Sequence, residues 1–244
     1  MIIRSDSRLR RLPTAMVQEN VLFWDGIRYA LSMADLAYLR LFDNLFELSR
    51  KVEQASNIEN ADFHIVSALS DSWSIIDSVH RLRELLQAMP GLKQNLTPLL
   101  LFRHRTKSYD DFRNAVQHLR RQIKGLVRSG EPVWGSISWI FFNPDRRDTL
   151  YSITLYGGTL YNQLSRPIIN PVGRTVESPI SQIRLTSYGI EVCLTDTHRH
   201  LDELTKFLEQ ALDQSIQKDF TTPPPTHAAD PIVFLQLSIS EKPQ

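Results

Sequence analysis

Apolar residues recur along the first half of the chain at alternating spacings of three and four. Leu31, Ala34, Tyr38, Leu41, Leu45, Leu48 and Val52 form one such series. It predicts a long helix beginning near Ile27, with an a/d seam over about three heptads. Residues 57–60 interrupt the pattern. A second series, Phe63, Val66, Leu69, Trp73, Ile76, Val79, Leu82 and Leu86, predicts a helix over 61–89 that Pro90-Gly91 ends. A shorter helix is expected over 92–105. Ser108-Tyr109-Asp110-Asp111 then offers N-cap chemistry and first-turn carboxylates for a fourth helix. That helix carries Phe112, Val116, Leu119, Ile123 and Leu126 on one stripe and runs to about residue 128. Several helices of similar length favour a bundle over an isolated coiled coil.

After Ser129-Gly130-Glu131-Pro132 the period changes from helical to two. Residues 133–142 and 149–156 alternate around a turn at 143–148, which predicts a hairpin. Residues 165–179 hold three prolines and a glycine and read as loop. A second hairpin is expected over 183–187 and 190–194, turning at Tyr188-Gly189. Asp196 or Thr197 then caps a helix with Leu201, Leu204, Phe207, Leu208, Ala211, Leu212 and Ile216 on one face. Residues 221–226 read as an extended linker, and 232–239 as a last strand.

The expected fold class is therefore α+β: an N-terminal antiparallel helical bundle, then a small antiparallel sheet with one long helix. The domain reading is a flexible arm over 1–13, a bundle over 14–130, a small α+β region over 131–222, and a proline-rich linker with a terminal strand over 223–244. The bundle is expected to stand alone when cut near Arg128.

Composition narrows the class without naming a function. Of 244 residues, 42% are hydrophobic and 23% charged, with a net charge of +1, as in an ordinary globular protein. Global basicity therefore says nothing about partners. Cys193 is the sole cysteine, which excludes an internal disulfide framework and fits a reducing compartment. No apolar run is long enough for a membrane span, and residues 1–8 have no signal-peptide h-region. The expected location is the cytoplasm.

Charge becomes informative locally. From Arg103 to Arg128 there are eight basic residues against Asp110 and Asp111, an excess of six in a chain whose total is +1. Phosphate binding requires such clustering, although acidic neighbours on other helices would cancel it. Within this stretch Arg113, Asn114, Gln117, His118 and Arg121 all lie off the apolar stripe. Asn114 and His118 are neighbours at i,i+4.

Arg113-Asn114-x3-His118 resembles the R-x4-6-H signature of the HEPN superfamily, over the helical residues 28–128. The resemblance implies an all-α bundle whose late helix carries the motif. It also implies a homodimer in which two such helices face each other and form a metal-independent endoribonuclease site. Arg113 and His118 would then be the catalytic pair and Asn114 the supporting polar residue, in a protein of bacterial toxin–antitoxin or phage-defence systems. The chemistry suits the residues: imidazole titrates near neutral pH and can take a proton from a 2′-hydroxyl. A guanidinium matches the charge that develops on phosphate. Asp77, Gln117 and Arg121 are candidate supports, Asp77 because it can pair with Arg113 or orient His118.

Other groups carry less. His198 and His200 point about 200° apart on a helix, which is poor metal geometry, and no metal or cofactor is expected. Trp134 and Trp139 are the right type to stack bases, or to pack a sheet. Expected partners are RNA, a second copy of the chain, and an antitoxin or other protein. Two further readings stay open: a non-catalytic RNA- or nucleotide-binding module, and an oligomeric interaction protein built on the heptad seam.

Overall fold

The computed structural model describes residues 1–54, 61–158, 169, 178–219, 224–227 and 229–230. Helices α1 (Gln18–Glu53), α2 (Ala61–Ala88), α3 (Thr97–Arg105), α4 (Ser108–Gln117) and α5 (Leu119–Ser129) come first. Strands β1 (Ser136–Asn143), β2 (Arg146–Tyr156), β3 (Ile180–Ser187) and β4 (Ile190–Cys193) follow, and α6 (Leu194–Asp219) comes after them. The class is α+β, with a four-stranded antiparallel sheet ordered β2-β1-β3-β4. The expected break at 57–60, most of the loop at 165–179 and the terminal strand at 232–239 lie outside the described residues. No helix among the described residues is long and apolar enough to cross a membrane.

The heptad seam is used inside the subunit. Leu31, Ala34, Tyr38, Leu41, Leu45 and Leu48 are all buried, whereas Val52 is exposed. Asn44 meets His64, Arg40 meets Asp71, and Gly26 lies beside Leu85, so α2 packs antiparallel on α1. The surface that an oligomer built on this seam would need is already covered.

The hairpins follow local chemistry. Asn143 Oδ1 accepts from Asp145 N at 2.9 Å and closes the first turn. At the second, Tyr188 and Gly189 have φ of 55° and 71°, the positive pair that a type I′ turn demands. Gly135 has φ of 81°, and a Cβ there would run into the Thr186 carbonyl. Only glycine lets β1 start so close to β3.

The expected boundary at 129–132 is a change of secondary structure, not of packing. Trp139 and Phe141 of β1, Ile183 and Leu185 of β3, and Leu204 and Leu208 of α6 share one continuous core with Leu31, Leu41, Leu45 and Val79 of the helices. Polar groups cross the same seam. Trp139 Nε1 donates to Ser49 Oγ at 2.8 Å, and the Tyr109 hydroxyl pairs with that of Thr197. Thr197, expected as a cap, instead lies in the first turn of α6 and bonds back to the Cys193 carbonyl at 2.9 Å.

The arm expected to be loose is packed too. Ile3, Leu9 and Leu12 are 1%, 0% and 4% exposed, so its few apolar residues are core residues. They are spaced too irregularly among arginines to show a period. Residues 224–227 of the expected linker lie antiparallel to the arm, joined by Thr14 N to Pro225 O and His227 N to Leu12 O.

Asp35, buried on α1, ties three segments together. It accepts from Ile2 N at 2.7 Å and pairs with His198 Nε2 at 2.8 Å, while the His198 ring stacks on Tyr38 at 4.0 Å. Burial pushes the Asp35 carboxyl up, but hydrogen bonds from His198 and Ile2 outweigh it and hold the group below its ordinary range. A depressed folded-state value adds stability above the unfolded value of about 3.9, lost as pH falls through the folded one. Asp35→Ala should cost about 1.5–3 kcal/mol at pH 7 by urea denaturation. The deficit should shrink as the pH falls below about 4.

Candidate functional site

The helix expected to carry the motif is broken at His118. Its φ and ψ of −107° and 27° make it the C-cap of α4 and the N-cap of α5. His118 N still donates to the Asn114 carbonyl at 3.2 Å, so the i,i+4 relation survives in the backbone. The side chains of Asn114, Gln117 and His118 are exposed, and the structure does not bring them together with Arg113.

Arg113 points instead at α2. Its Nη1 lies 2.8 Å from His80 Nε2, and its Nε lies 3.6 Å from Asp77 Oδ1. Asp77, His80 and Glu84 recur at spacings of three and four on α2, and Asp110 and Arg113 at three on α4, so two polar helix faces meet edge to edge. His80 Nδ1 contacts Asp110 Oδ1 at 2.8 Å. Arg83 holds Asp110 from the other side at 2.8 Å and also donates to the Arg103 carbonyl and Thr106 Oγ1. Burial pushes the Asp110 carboxyl up, but hydrogen bonds from Arg83 and His80 keep it below the usual carboxylate range. Asp110 is thus a fixed anion, and it directs the His80 Nδ1 proton toward itself.

His80 Nε2 has two competing neighbours, Arg113 at 2.8 Å and Glu84 Oε1 at 3.3 Å. With Nδ1–H on Asp110, a neutral ring accepts from Arg113 through Nε2. A protonated ring presents N–H there, which repels the guanidinium and pairs with Glu84.

A groove adjoins this centre, and a basic helix follows α4 in the chain. Asp77 ends a groove of about 480 Å³ lined by Met33, Val66, Leu69, Trp73 and Trp134. Trp134 is 47% exposed and meets Trp73 edge-on at 6.3 Å, whereas Trp139 is fully buried and structural. Directly after α4, α5 carries Arg120, Arg121, Lys124 and Arg128, all exposed and none in an ion pair among the described residues. They fall within about 100° of arc. The remaining local basicity is partly cancelled, Arg105 by Glu203 and Arg113 by Asp77. Among the described residues no cluster of ligating side chains has metal-site form.

Of the candidates from sequence, Arg113 and Asp77 come together, Arg121 joins the basic face, and Asn114, Gln117 and His118 stand apart. His80, Asp110 and Glu84 were not singled out as site residues. Their three- and four-residue spacing on two helices was visible, but nothing in the sequence gives the register of one helix against the other. Comparison with known proteins adds no relative: no family model, no curated protein and no solved structure matches this chain.

Proposed function

We propose that the protein binds single-stranded RNA and cleaves it without a metal ion, as a HEPN-type endoribonuclease would, with Arg113 and His80 as the reacting pair. The observation that carries this reading is Arg113 resting on His80 while Asp110 fixes the far side of the ring. An RNA phosphate competes for the Arg113 guanidinium, and its departure frees the His80 Nε2 lone pair. Nε2 takes the 2′-hydroxyl proton, O2′ attacks phosphorus, and the P–O5′ bond breaks. The leaving O5′ takes a proton from solvent water, and His80 returns its own to solvent, which gives a 2′,3′-cyclic phosphate and a 5′-hydroxyl. Arg113 balances the charge that develops on the phosphate.

The basic face of α5 holds the strand through its phosphates, and Trp134 offers a stacking surface in the adjoining groove. His118 belongs to this reading as the second imidazole, delivered by a symmetric partner. Ile123 and Val127 on α5 are 40% and 71% exposed and would be covered by that partner.

A non-catalytic RNA-binding module is the second reading. The observation in its favour is that Arg113 is already held by both Asp77 and His80 in the isolated subunit. The two readings share the α5 face and divide on cleavage. RNA affinity should fall linearly with log salt. Each of Arg120→Gln, Lys124→Gln and Arg128→Gln should reduce that slope by about 0.7, read by fluorescence anisotropy with labelled single-stranded RNA. Unchanged slopes would remove α5 as the binding face, and incubation of labelled RNA with the protein in EDTA separates cleavage from binding.

A further inference from the structure

A second polar centre lies away from α2 and α4, between the N-terminal arm and the start of α1. Arg28 is the anchor, with a side chain 4% exposed. Its Nη1 and Nη2 donate to the two oxygens of Asp230, each at 2.9 Å, and Nη2 also reaches Asp25 at 3.0 Å. Arg10 Nη1 donates to Asp230 Oδ2 at 2.8 Å and the Tyr29 hydroxyl to Oδ1 at 2.6 Å. Four donor contacts thus converge on one carboxylate from a residue near the end of the chain. The backbone of Asp230 is left-handed, with φ of 55°, a conformation that aspartate tolerates better than most residues.

Four donors already use the roughly four acceptor sites of this carboxylate, and further N–H groups remain. Arg28 Nε and Arg10 Nε are both buried and have no acceptor among the described residues. The cavity they line together with Tyr29 and His227 is about 290 Å³. A carboxylate has two oxygens, whereas a phosphate monoester presents three terminal oxygens and up to two charges. With Asp230 withdrawn, Asp25 is the one carboxylate lining the cavity among the described residues, against two guanidiniums, and the pocket is cationic. Guanidinium forks bind phosphate in the two-pronged way that Arg28 now uses on Asp230.

We propose that Arg10, Arg28 and Tyr29 form an oxyanion site for a phosphate group, which Asp230 fills in cis. The segment bearing Asp230 is pinned to the arm by the Pro225 and His227 backbone bonds. Phosphate binding and docking of the Asp230 carboxylate are therefore mutually exclusive at one set of donors. The site shares no residue with the Arg113–His80 centre and stands whether or not that centre cleaves RNA.

The test uses the full chain, with inorganic phosphate titrated by calorimetry at fixed ionic strength against chloride. Asp230→Asn removes the competing charge and should bind phosphate about tenfold more tightly than the unaltered protein, a difference of about 1.4 kcal/mol. Adding Arg10→Gln to Asp230→Asn should abolish that gain, and Arg113→Ala should leave it unchanged. If Asp230→Asn unfolds too readily to titrate, the unaltered protein supplies the readout. Its melting temperature should rise with phosphate and not with chloride, and Arg10→Gln should lose the rise. Equal phosphate affinity with and without Asp230→Asn would overturn the proposal. So would an Asp230→Asn gain in phosphate affinity that survives Arg10→Gln in an Arg113→Ala background, or no phosphate-specific response in either assay.

Discussion

A chain ending at Arg128 is expected to lose its fold, contrary to the autonomy that the switch from helical to alternating period suggests. The truncation removes Trp139, Phe141, Ile183, Leu185, Leu201, Leu204 and Leu208, all buried in the core that α1 shares. Emptying the site of one buried leucine or tryptophan costs about 2–5 kcal/mol. Two or three such losses match the whole stability of a domain, about 5–15 kcal/mol. The cut also strands the Ser49, Asp35 and Tyr109 polar groups, whose partners Trp139, His198 and Thr197 go with it. Circular dichroism should show no cooperative thermal transition for residues 1–128. A cooperative melt with full helical signal would mean that the helices carry a sufficient core of their own.

The largest functional effect is expected at His80. Loss of a positioned general base costs a factor of about 10²–10⁴ in rate. His80→Gln should therefore abolish visible RNA cleavage while keeping a polar side chain beside Asp110. Arg113→Ala should match it, because in the proposed mechanism the same guanidinium meets the scissile phosphate. His118→Ala tests a different point. It should weaken cleavage through the second copy's site, since within one subunit His118 touches neither Arg113 nor His80. Asp110→Asn should lower kcat more than KM, because in the proposed mechanism Asp110 acts by positioning the His80 ring. RNA binding by each variant, measured in parallel, guards against a loss caused by unfolding. His80→Gln cleaving at an undiminished rate would return the chemistry to His118 or remove it altogether.

Periodicity made most of the architecture legible. The α1 seam, α2 with its stop at Pro90-Gly91, both hairpins and α6 can all be read from spacing and turn residues. The heptad in α1 was visible as a pattern but ambiguous in use, because an oligomer and a subunit core write the same seam. The packing of the arm is illegible in the sequence because Ile3, Leu9 and Leu12 bury without any period. Two members of the candidate centre are legible in the sequence. Arg113 stood out through its motif, and Asp77 as a partner within reach. His80 and Asp110 did not, since their meaning depends on α2 and α4 lying in one particular register. The break at His118 also escaped, because its apolar stripe continues through Leu119, Ile123 and Leu126 as though the helix were straight. Of these only Leu126 is fully buried, so the stripe has no core to follow beyond α4.

Cleavage of single-stranded RNA by the full chain in EDTA, with the product ends identified, tests the central claim most directly. The account predicts cleavage that persists in EDTA, leaves a 2′,3′-cyclic phosphate and a 5′-hydroxyl, and disappears in both His80→Gln and Arg113→Ala. RNA that is bound with a steep salt dependence and recovered intact would contradict it and leave a binding module.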